Sequence, residues 1–302
     1  MPSPLKFDAL VIGGGPAGLT GGLYLARFRR TVLVVDDGRS RALRIPRTHN
    51  MPGYPNGVVG AELMSSIRRQ AERYGVVFAE GRVEKLEKTE DGFSARWPGG
   101  EVGARVVLLA TGTSDIEPAV SHLAEAVGSG AVRYCPVCDA FEVIDRNVGV
   151  IADGPAGVRE ALYLRHFTPH LTVFLLSGES SLDEVSRDRL AAAQIRLVED
   201  PIASVRLSEG AIVVRHRDAE TRCDSVYSAL GMHIHAELAP DADRDEDGYL
   251  VTDRRRQTNI EGLYAAGDVL QGLNQITVAM GDAAIAAAAM HLALRHWEDR
   301  GW

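Results

Sequence analysis

The sequence predicts an α/β protein built from two three-layer domains, and three observations carry the prediction. A short apolar strand that runs into a glycine-rich turn and then a helix occurs twice, over residues 7–29 and again over 148–166. Parallel strands need such helical crossovers, so the repeated unit builds doubly wound sheets with right-handed connections. The length of 302 residues exceeds what one hydrophobic core usually organises. Finally, 31 glycines beside 45% hydrophobic residues describe a globular chain with many tight turns and close backbone approaches.

Taken in order, Phe7 to Ile12 reads as a short buried strand, followed at once by Gly13-Gly14-Gly15-Pro16-Ala17-Gly18 and a helical run through Arg29. Thr31 to Val35 is a second, β-branched strand ending in Asp36. Together they open a Rossmann-like dinucleotide-binding domain, whose ligand sits at the carboxyl ends of the strands. Residues 46–60, rich in Pro and Gly, read as a loop, and a polar-faced helix runs from Ala61 to Tyr74. Val102 to Ala110 is another apolar strand, ended by the turn Thr111-Gly112-Thr113. Pro118 to Gly130 reads as a connection between domains. The second unit starts with the strand Val148-Gly149-Val150-Ile151, turns through Ala152-Asp153-Gly154-Pro155-Ala156-Gly157, and continues as a helix to His166. A strand at Leu171 to Leu176 and a hairpin turn at Ser208 to Gly210 follow, and Ser225 to Gly231 leads out of this unit. Asp241 to Asp247 is a charged linker. The C-terminal part carries Tyr264-Ala265-Ala266-Gly267-Asp268 and a long Ala-rich helix.

The bulk properties exclude several classes. A net charge of −8 opposes sequence-independent nucleic-acid binding, which needs surplus Lys and Arg to replace phosphate counterions. The first eight residues lack the apolar core of a secretory signal, and the most apolar segment, Ala279 to Leu294, is interrupted by Asp282 and His291. The expectation is a cytoplasmic protein without a membrane span. Three cysteines are too few for a secreted disulfide framework, and the spacing Cys135-Pro136-Val137-Cys138 fits redox chemistry or half a metal site. Zinc needs four ligands and Cys223 has no neighbouring cysteine, so the expectation is no metal, with Cys223 a small buried hydrophobe.

Gly13, Gly15 and Gly18 have the spacing a dinucleotide site needs: one glycine for the turn, one for pyrophosphate approach, one for helix–strand packing. Asp36 stands where a carboxylate accepts from ribose hydroxyls. Adding Thr111-Gly112 and Ala266-Gly267-Asp268, the set resembles flavoproteins with two dinucleotide domains. With Cys135-Pro136-Val137-Cys138-Asp139 placed between the first domain and the second glycine turn, the chain resembles low-molecular-weight thioredoxin reductases over nearly its whole length. Residues 20–29, Asn50-Met51-Pro52-Gly53-Tyr54-Pro55, Gly60-Ala61-Glu62-Leu63-Met64 and Ala279-Met280-Gly281-Asp282-Ala283-Ala284 match that pattern too.

The resemblance implies a homodimer in which an FAD domain, residues 1–116 and 244–302, is split around a nucleotide domain, 117–243, that carries the dithiol. It implies that Gly13, Gly15, Pro16, Ala17, Gly18, Asp36, Asn50, Val83, Thr111, Gly112, Gly267, Asp268, Gln275 and Ile276 hold FAD, with Asp268 on the ribityl chain. Cys138 would face the flavin and Cys135 would exchange with a thioredoxin-like protein or a small-molecule disulfide or dithiol. Asp139 would move the proton that exchange requires.

Three departures bear on the reductant. In the second turn Ala152 replaces the first glycine and Asp153 sits beside it, a costly pair wherever the turn demands positive φ and a phosphate must approach. NADPH-using relatives carry a His-Arg-Arg cluster after the next strand; here the stretch is Leu176-Ser177-Gly178-Glu179, with Arg187 or Arg189 left as substitutes for holding a 2′-phosphate. Arg39-Ser40-Arg41 replaces the run that passes under the flavin ring. NADPH, NADH, ferredoxin and a second flavin all stay open as reductants. Two further functions stay open: a flavin-dependent dithiol oxidase that forms disulfides with oxygen, and a slow flavoprotein redox sensor. Such oxidases follow the second cysteine with His, whereas this chain has Asp139. His49 is either a base near the flavin or a surface hydrogen-bonding residue.

Overall fold

The computed structural model describes residues 7–117, 123–178 and 182–299. Pro118, where the inter-domain connection was expected to start, and Glu179 lie outside them. The elements run β1 (Phe7–Ile12), α1 (Pro16–Arg27), β2 (Val32–Asp36), α2 (Gly60–Arg73), β3 (Val77–Glu80), β4 (Lys85–Thr89), β5 (Gly92–Trp97), β6 (Gly100–Leu109) and β7 (Thr113–Asp115). Next come α3 (Leu123–Gly128), β8 (Val132–Arg133), α4 (Pro136–Asp139), β9 (Val148–Ala152), α5 (Pro155–Leu164), β10 (Leu171–Leu175) and α6 (Glu184–Ala192). Strands β11 (Arg196–Val198), β12 (Ile202–Ser208), β13 (Ala211–His216), β14 (Ala219–Cys223), β15 (Ser225–Ala229), β16 (Met232–Ile234) and β17 (Leu263–Ala265) lead to α7 (Ile276–Asp299). Short 3-10 turns lie at Arg41–Arg44 and Ala140–Val143.

The chain forms two compact units. The first takes residues up to Ile45, Val58–Ser114 and the chain from Ile234 on; the second takes Pro46–Gly57 and Asp115–His233. In the first, a seven-stranded sheet runs β3-β2-β1-β6-β5-β4, with β17 also on β6. Strands β1, β2, β3 and β17 are parallel to their neighbours, and β4 and β5 add an antiparallel hairpin. β1 shows why its sequence is continuously apolar. Ala9 and Val11 join one core with α1 and α7, while Leu10 and Ile12 join the core on the other face with Phe93, Trp97, Leu250 and Val269. A strand buried on both faces cannot alternate apolar with polar residues.

The second unit has a five-stranded parallel sheet, β11-β10-β9-β15-β8, and a three-stranded antiparallel sheet, β12-β13-β14. Val148, Val150, Val173 and Leu175 pack on Val158, Ala161 and Leu164 of α5; on the opposite face Ile151 and Phe174 meet Val205, Ile212 and Val214. Three expectations need correction here. Ser225–Ala229 does not merely lead out of the unit: it is β15, fully buried between β9 and β8, because its small and apolar residues fit a strand covered on both sides. The expected connection contains α3, whose Leu123, Ala126 and Val127 close the second core. And Ala236, Ala239 and Ala242, assigned by sequence to the dithiol domain, pack in the first unit's core with Leu250.

Helix α7 is long and apolar enough to cross a membrane by length and composition. Its composition has another cause in this fold: Ala279, Ala283, Ala286, Ala287, Met290 and Leu294 form the face that packs with α1 against the sheet. Asp282 interrupts that face and is answered by Arg256, whose Nη2 and Nε donate to Asp282 Oδ1 at 2.6 and 2.9 Å. Removing a partner from a buried charged pair leaves an unsatisfied group, a loss of about 1–3 kcal/mol or more. Arg256→Met should therefore lower the urea midpoint of the flavin-loaded protein by a corresponding amount; an unchanged midpoint would show that the pair contributes nothing net.

Candidate functional site

The first glycine turn is built at the carboxyl end of β1. Gly13 adopts φ +106°, and a Cβ there would lie 2.3 Å from the Ala110 carbonyl oxygen at the end of β6. Gly18, in the first turn of α1, sits so close to the strand that a Cβ would fall 1.8 Å from the Gly13 carbonyl oxygen. Gly15 is the N-cap, Pro16 the first helical residue and Ala17 is buried; no side chain caps the helix, and no acid stands in its first turn. The start of α1 thus leaves backbone N–H groups for an anion.

Asp36 closes β2 and accepts from the Gly14 N–H at 3.0 Å. Gly267, at φ +79°, lies against the same turn: a Cβ on it would be 3.0 Å from Ala17 Cβ and 3.3 Å from Ala279 Cβ. Asp268 follows it and pairs with Arg41 at 3.9 Å. Ile276 begins α7 and Gln275 precedes it, its carbonyl accepting from the Ala279 N–H. Thr111 and Gly112 follow β6; the Thr111 hydroxyl donates to the His235 carbonyl, and Gly112 O accepts from the His235 N–H. The fold thus gathers Gly13, Gly15, Pro16, Ala17, Gly18, Asp36, Gly267 and Asp268 at one end of one sheet.

Val83 follows β3, which runs beside β2 to the sheet end that Asp36 closes, whereas Asn50 lies in a different segment. Val83 turns its side chain into the core beside Leu10 and Val35. Asn50 belongs to the segment Pro46–Gly57 that groups with the second unit, where its Oδ1 accepts from the Thr48 hydroxyl at 2.6 Å, and His49 is exposed. Ser40 and Arg41, singled out by the sequence but given no role in holding the cofactor, also lie at the first glycine turn: Ser40 Oγ is 3.1 Å from where a Gly15 Cβ would be, and Arg41 pairs with Asp268. The signal was only a departure from a familiar pattern.

The dithiol lies in the second unit. Cys135 and Cys138 form a disulfide with Cα atoms 5.2 Å apart. Cys135 is the N-cap of the one-turn helix α4, and its carbonyl accepts from the Cys138 N–H at 2.9 Å. Both are half-buried, so the sulfurs are held without being sealed off. Cys223 is buried apart from them, and burial pushes its thiol up to about 12, which makes it inert as a nucleophile. Asp139 ends α4 and accepts at both oxygens: from Arg133 Nη1 at 2.6 Å and from the Tyr227 hydroxyl at 2.7 Å.

The second glycine turn differs from the first in a way that corrects the sequence reading. Ala152 is not at positive φ; it is the last residue of β9. The left-handed step has moved to Gly154, at φ +106°, so the alanine carries no strain. Its Cβ instead occupies the helix–strand gap, 2.4 Å from where a Gly157 Cβ would be. Asp153 takes the place that Gly14 holds in the first unit, and its carboxylate accepts from the Ser177 hydroxyl at 2.9 Å. Arg187 is already engaged with Glu199, and Arg189 is exposed. The residues of the first unit fit an FAD pyrophosphate and ribose; in the second the corresponding turn carries the Asp153 carboxylate, turned toward Ser177.

Residues 7–283 match the family model described as pyridine nucleotide-disulphide oxidoreductase. The chain is 30% identical to the thioredoxin reductase of Treponema pallidum, over 94% of this chain and 95% of that one. It is 28% identical to the thioredoxin reductase of Streptococcus pyogenes MGAS5005, whose crystal structure superposes with a TM-score of 0.88, covering 96% of this chain and 98% of that one. It is also similar, at 32% identity, to the atypical thioredoxin reductase TRi of Desulfovibrio vulgaris Hildenborough, with a TM-score of 0.54 over 96% of this chain and 98% of that one.

The contact between Gly18 and Gly13 leaves no room for a methyl group, and forced overpacking costs about 1–3 kcal/mol. Gly18→Ala is expected to purify with a lower ratio of flavin to protein absorbance than the wild type. A full flavin complement in that variant would show that the approach of α1 to β1 is not what holds the cofactor.

Proposed function

The chain belongs to the pyridine nucleotide-disulphide oxidoreductase family, and from that premise we propose that it is a thiol-disulfide oxidoreductase of thioredoxin-reductase type. Its Cys135–Cys138 pair reduces a disulfide of a thioredoxin-like protein or a small molecule, and FAD, when bound, would supply the two electrons. The observation that carries the reading is the half-buried Cys135–Cys138 disulfide at the start of α4 with Asp139 on the same turn. Bound FAD supplies a two-electron carrier between a reductant and the dithiol.

The residues of the chain do the rest. Gly13, Gly15 and Gly18 would hold the pyrophosphate at the start of α1, and Asp36 and Asp268 would accept from the ribose and ribityl hydroxyls. Reduction of the disulfide takes two electrons and two protons and leaves two thiols. Cys135, as thiolate, attacks a substrate sulfur; Cys138 then attacks Cys135, which re-forms the internal disulfide and releases the second substrate thiol. Asp139 accepts and returns the proton at the attacking sulfur. Working location is the cytoplasm and the working form a homodimer, as in the enzymes the sequence resembles.

The reductant is the finer part of the proposal. Asp153 beside the second turn and the Arg187–Glu199 pair oppose a phosphorylated dinucleotide, which favours a donor such as ferredoxin or a second flavin over NADPH. The same features would suit a dithiol oxidase running in the opposite direction, from substrate dithiol through FAD to oxygen.

Two measurements separate these possibilities. In an anaerobic titration of the flavin absorbance with NADPH, then NADH, then reduced ferredoxin and a dithiol, we expect no bleaching by either nucleotide at micromolar levels. Bleaching by NADPH would overturn the assignment of the second turn, and bleaching by a dithiol alone would favour the oxidase. Cys138→Ser should keep its flavin and lose disulfide reduction, and Asp139→Asn should slow exchange by about 10²-fold. Undiminished activity in either variant would remove that residue from the mechanism.

A further inference from the structure

We propose that Arg133 and Tyr227 are positioning residues that hold the Asp139 carboxylate where it accepts and returns the proton of thiol-disulfide exchange. The proposal rests on the assignment of Asp139 in the preceding section. Its own basis is geometric. β8 and β15 are adjacent parallel strands, and Tyr227 stands directly beside Arg133 in their register. From these two positions one donor reaches each carboxylate oxygen: Arg133 Nη1 to Oδ2 at 2.6 Å and Tyr227 Oη to Oδ1 at 2.7 Å. The guanidinium is itself tied back to β15, Arg133 Nε donating to Ser225 Oγ at 3.3 Å.

The cost of this arrangement argues that it is more than filling. Tyr227 is 0% exposed, and a buried phenol needs a partner for its hydroxyl, whereas phenylalanine would pack there without one. Burial and then the charge of Asp139 push the Tyr227 hydroxyl well above the usual phenol range, so it stays a donor. Burial works against the Arg133 charge, but the charge of Asp139 and its hydrogen bond outweigh it and raise the guanidinium. Yet the Arg133 and Asp139 side chains remain 24% and 25% exposed, so the carboxylate is held at both oxygens without being cut off from water. Other ionisable groups on elements packed against α4 include Glu142, in the 3-10 turn that follows, and Arg159, Glu160 and Tyr163 of α5.

In the exchange step the Cys135 S–H bond breaks toward Asp139 as the sulfur bonds to the substrate disulfide. The substrate S–S bond breaks, and the departing thiolate takes the proton from Asp139. Cys138 repeats the sequence against Cys135, so the dithiol is oxidised, the disulfide is reduced to two thiols, and two protons are passed on. A carboxylate swung away from the turn would leave both transfers to water.

The test is a double-mutant cycle on the flavin-loaded protein, reduced with dithiothreitol, desalted, and mixed with 5,5′-dithiobis(2-nitrobenzoate) while thionitrobenzoate release is followed. Arg133→Gln should slow this half-reaction by about tenfold and Tyr227→Phe by about threefold, with Arg133→Lys retaining most of the rate. In an Asp139→Asn background, Arg133→Gln should have less than about a twofold effect, because a positioning residue has nothing left to position. Equal slowing in both backgrounds would overturn the proposal in favour of a general structural role. A slow Asp139→Asn beside a fully active Arg133→Gln would overturn it while sparing Asp139. A fully active Asp139→Asn would sink the reading on which it rests. If Arg133→Gln does not retain flavin, the same cycle run with Tyr227→Phe decides the matter by the same criteria.

Discussion

The geometry of the first unit depends on how closely α1 approaches β1. That approach is set by backbone alone: a left-handed residue at Gly13 reverses the chain, and the missing Cβ at Gly18 lets the helix settle on the Gly13 carbonyl. Once the helix axis is fixed, its uncapped first turn points at the end of the sheet, Asp36 is brought to the Gly14 N–H, and Gly267 can lie against Ala17. An anion site follows from these contacts without a single positively charged side chain in the turn. Arg41 and Asp268 then add an ion pair beside it, from two segments far apart in the chain.

The second unit shows what the same architecture does when that constraint is released. Strand, turn and helix recur, but Ala152 ends its strand in ordinary extended backbone and the left-handed step moves to Gly154. The Ala152 methyl takes up the space between strand and helix, and Asp153 carries a carboxylate into the turn. The parallel sheet around it is intact and packed on both faces, so the differences are confined to the turn. Sheet and turn are separable in this way because the sheet's stability comes from its two apolar faces, and the turn contributes little to either.

Much of this was legible from the sequence, for a physical reason. Strands such as β1 and β9 are buried on both faces, so they appear as continuous apolar runs, and the glycines and the cysteine pair sit at local spacings. What was not legible depends on distance along the chain. Strand β15 looked like an exit because its pattern, Ser-Val-Tyr-Ser-Ala, is short and half polar, and only its neighbours β8 and β9 reveal that both faces are covered. The partners of Asp139 were invisible likewise: Tyr227 lies 88 residues away, and Arg133 gives no local signal of the pairing. At Ala152 the error had a different origin, because a residue type was weighed against a turn geometry that this chain does not adopt. Val83 and Asn50 were placed by resemblance alone, and their side chains have other local duties, in the core and with Thr48.

The two units are interleaved along the chain, since Pro46–Gly57 is grouped with the second although the residues on both sides of it belong to the first. The polypeptide therefore passes from one unit to the other at four places. This bears on how the molecule can be taken apart. A gene fragment spanning Asp115–His233 would encode the dithiol unit without its N-terminal strap, and the remainder would keep that strap with nothing to attach it to. Neither half is a cassette that recombination could move intact into another protein, and a protease that nicks the chain once would leave both units bound together by the crossings that remain.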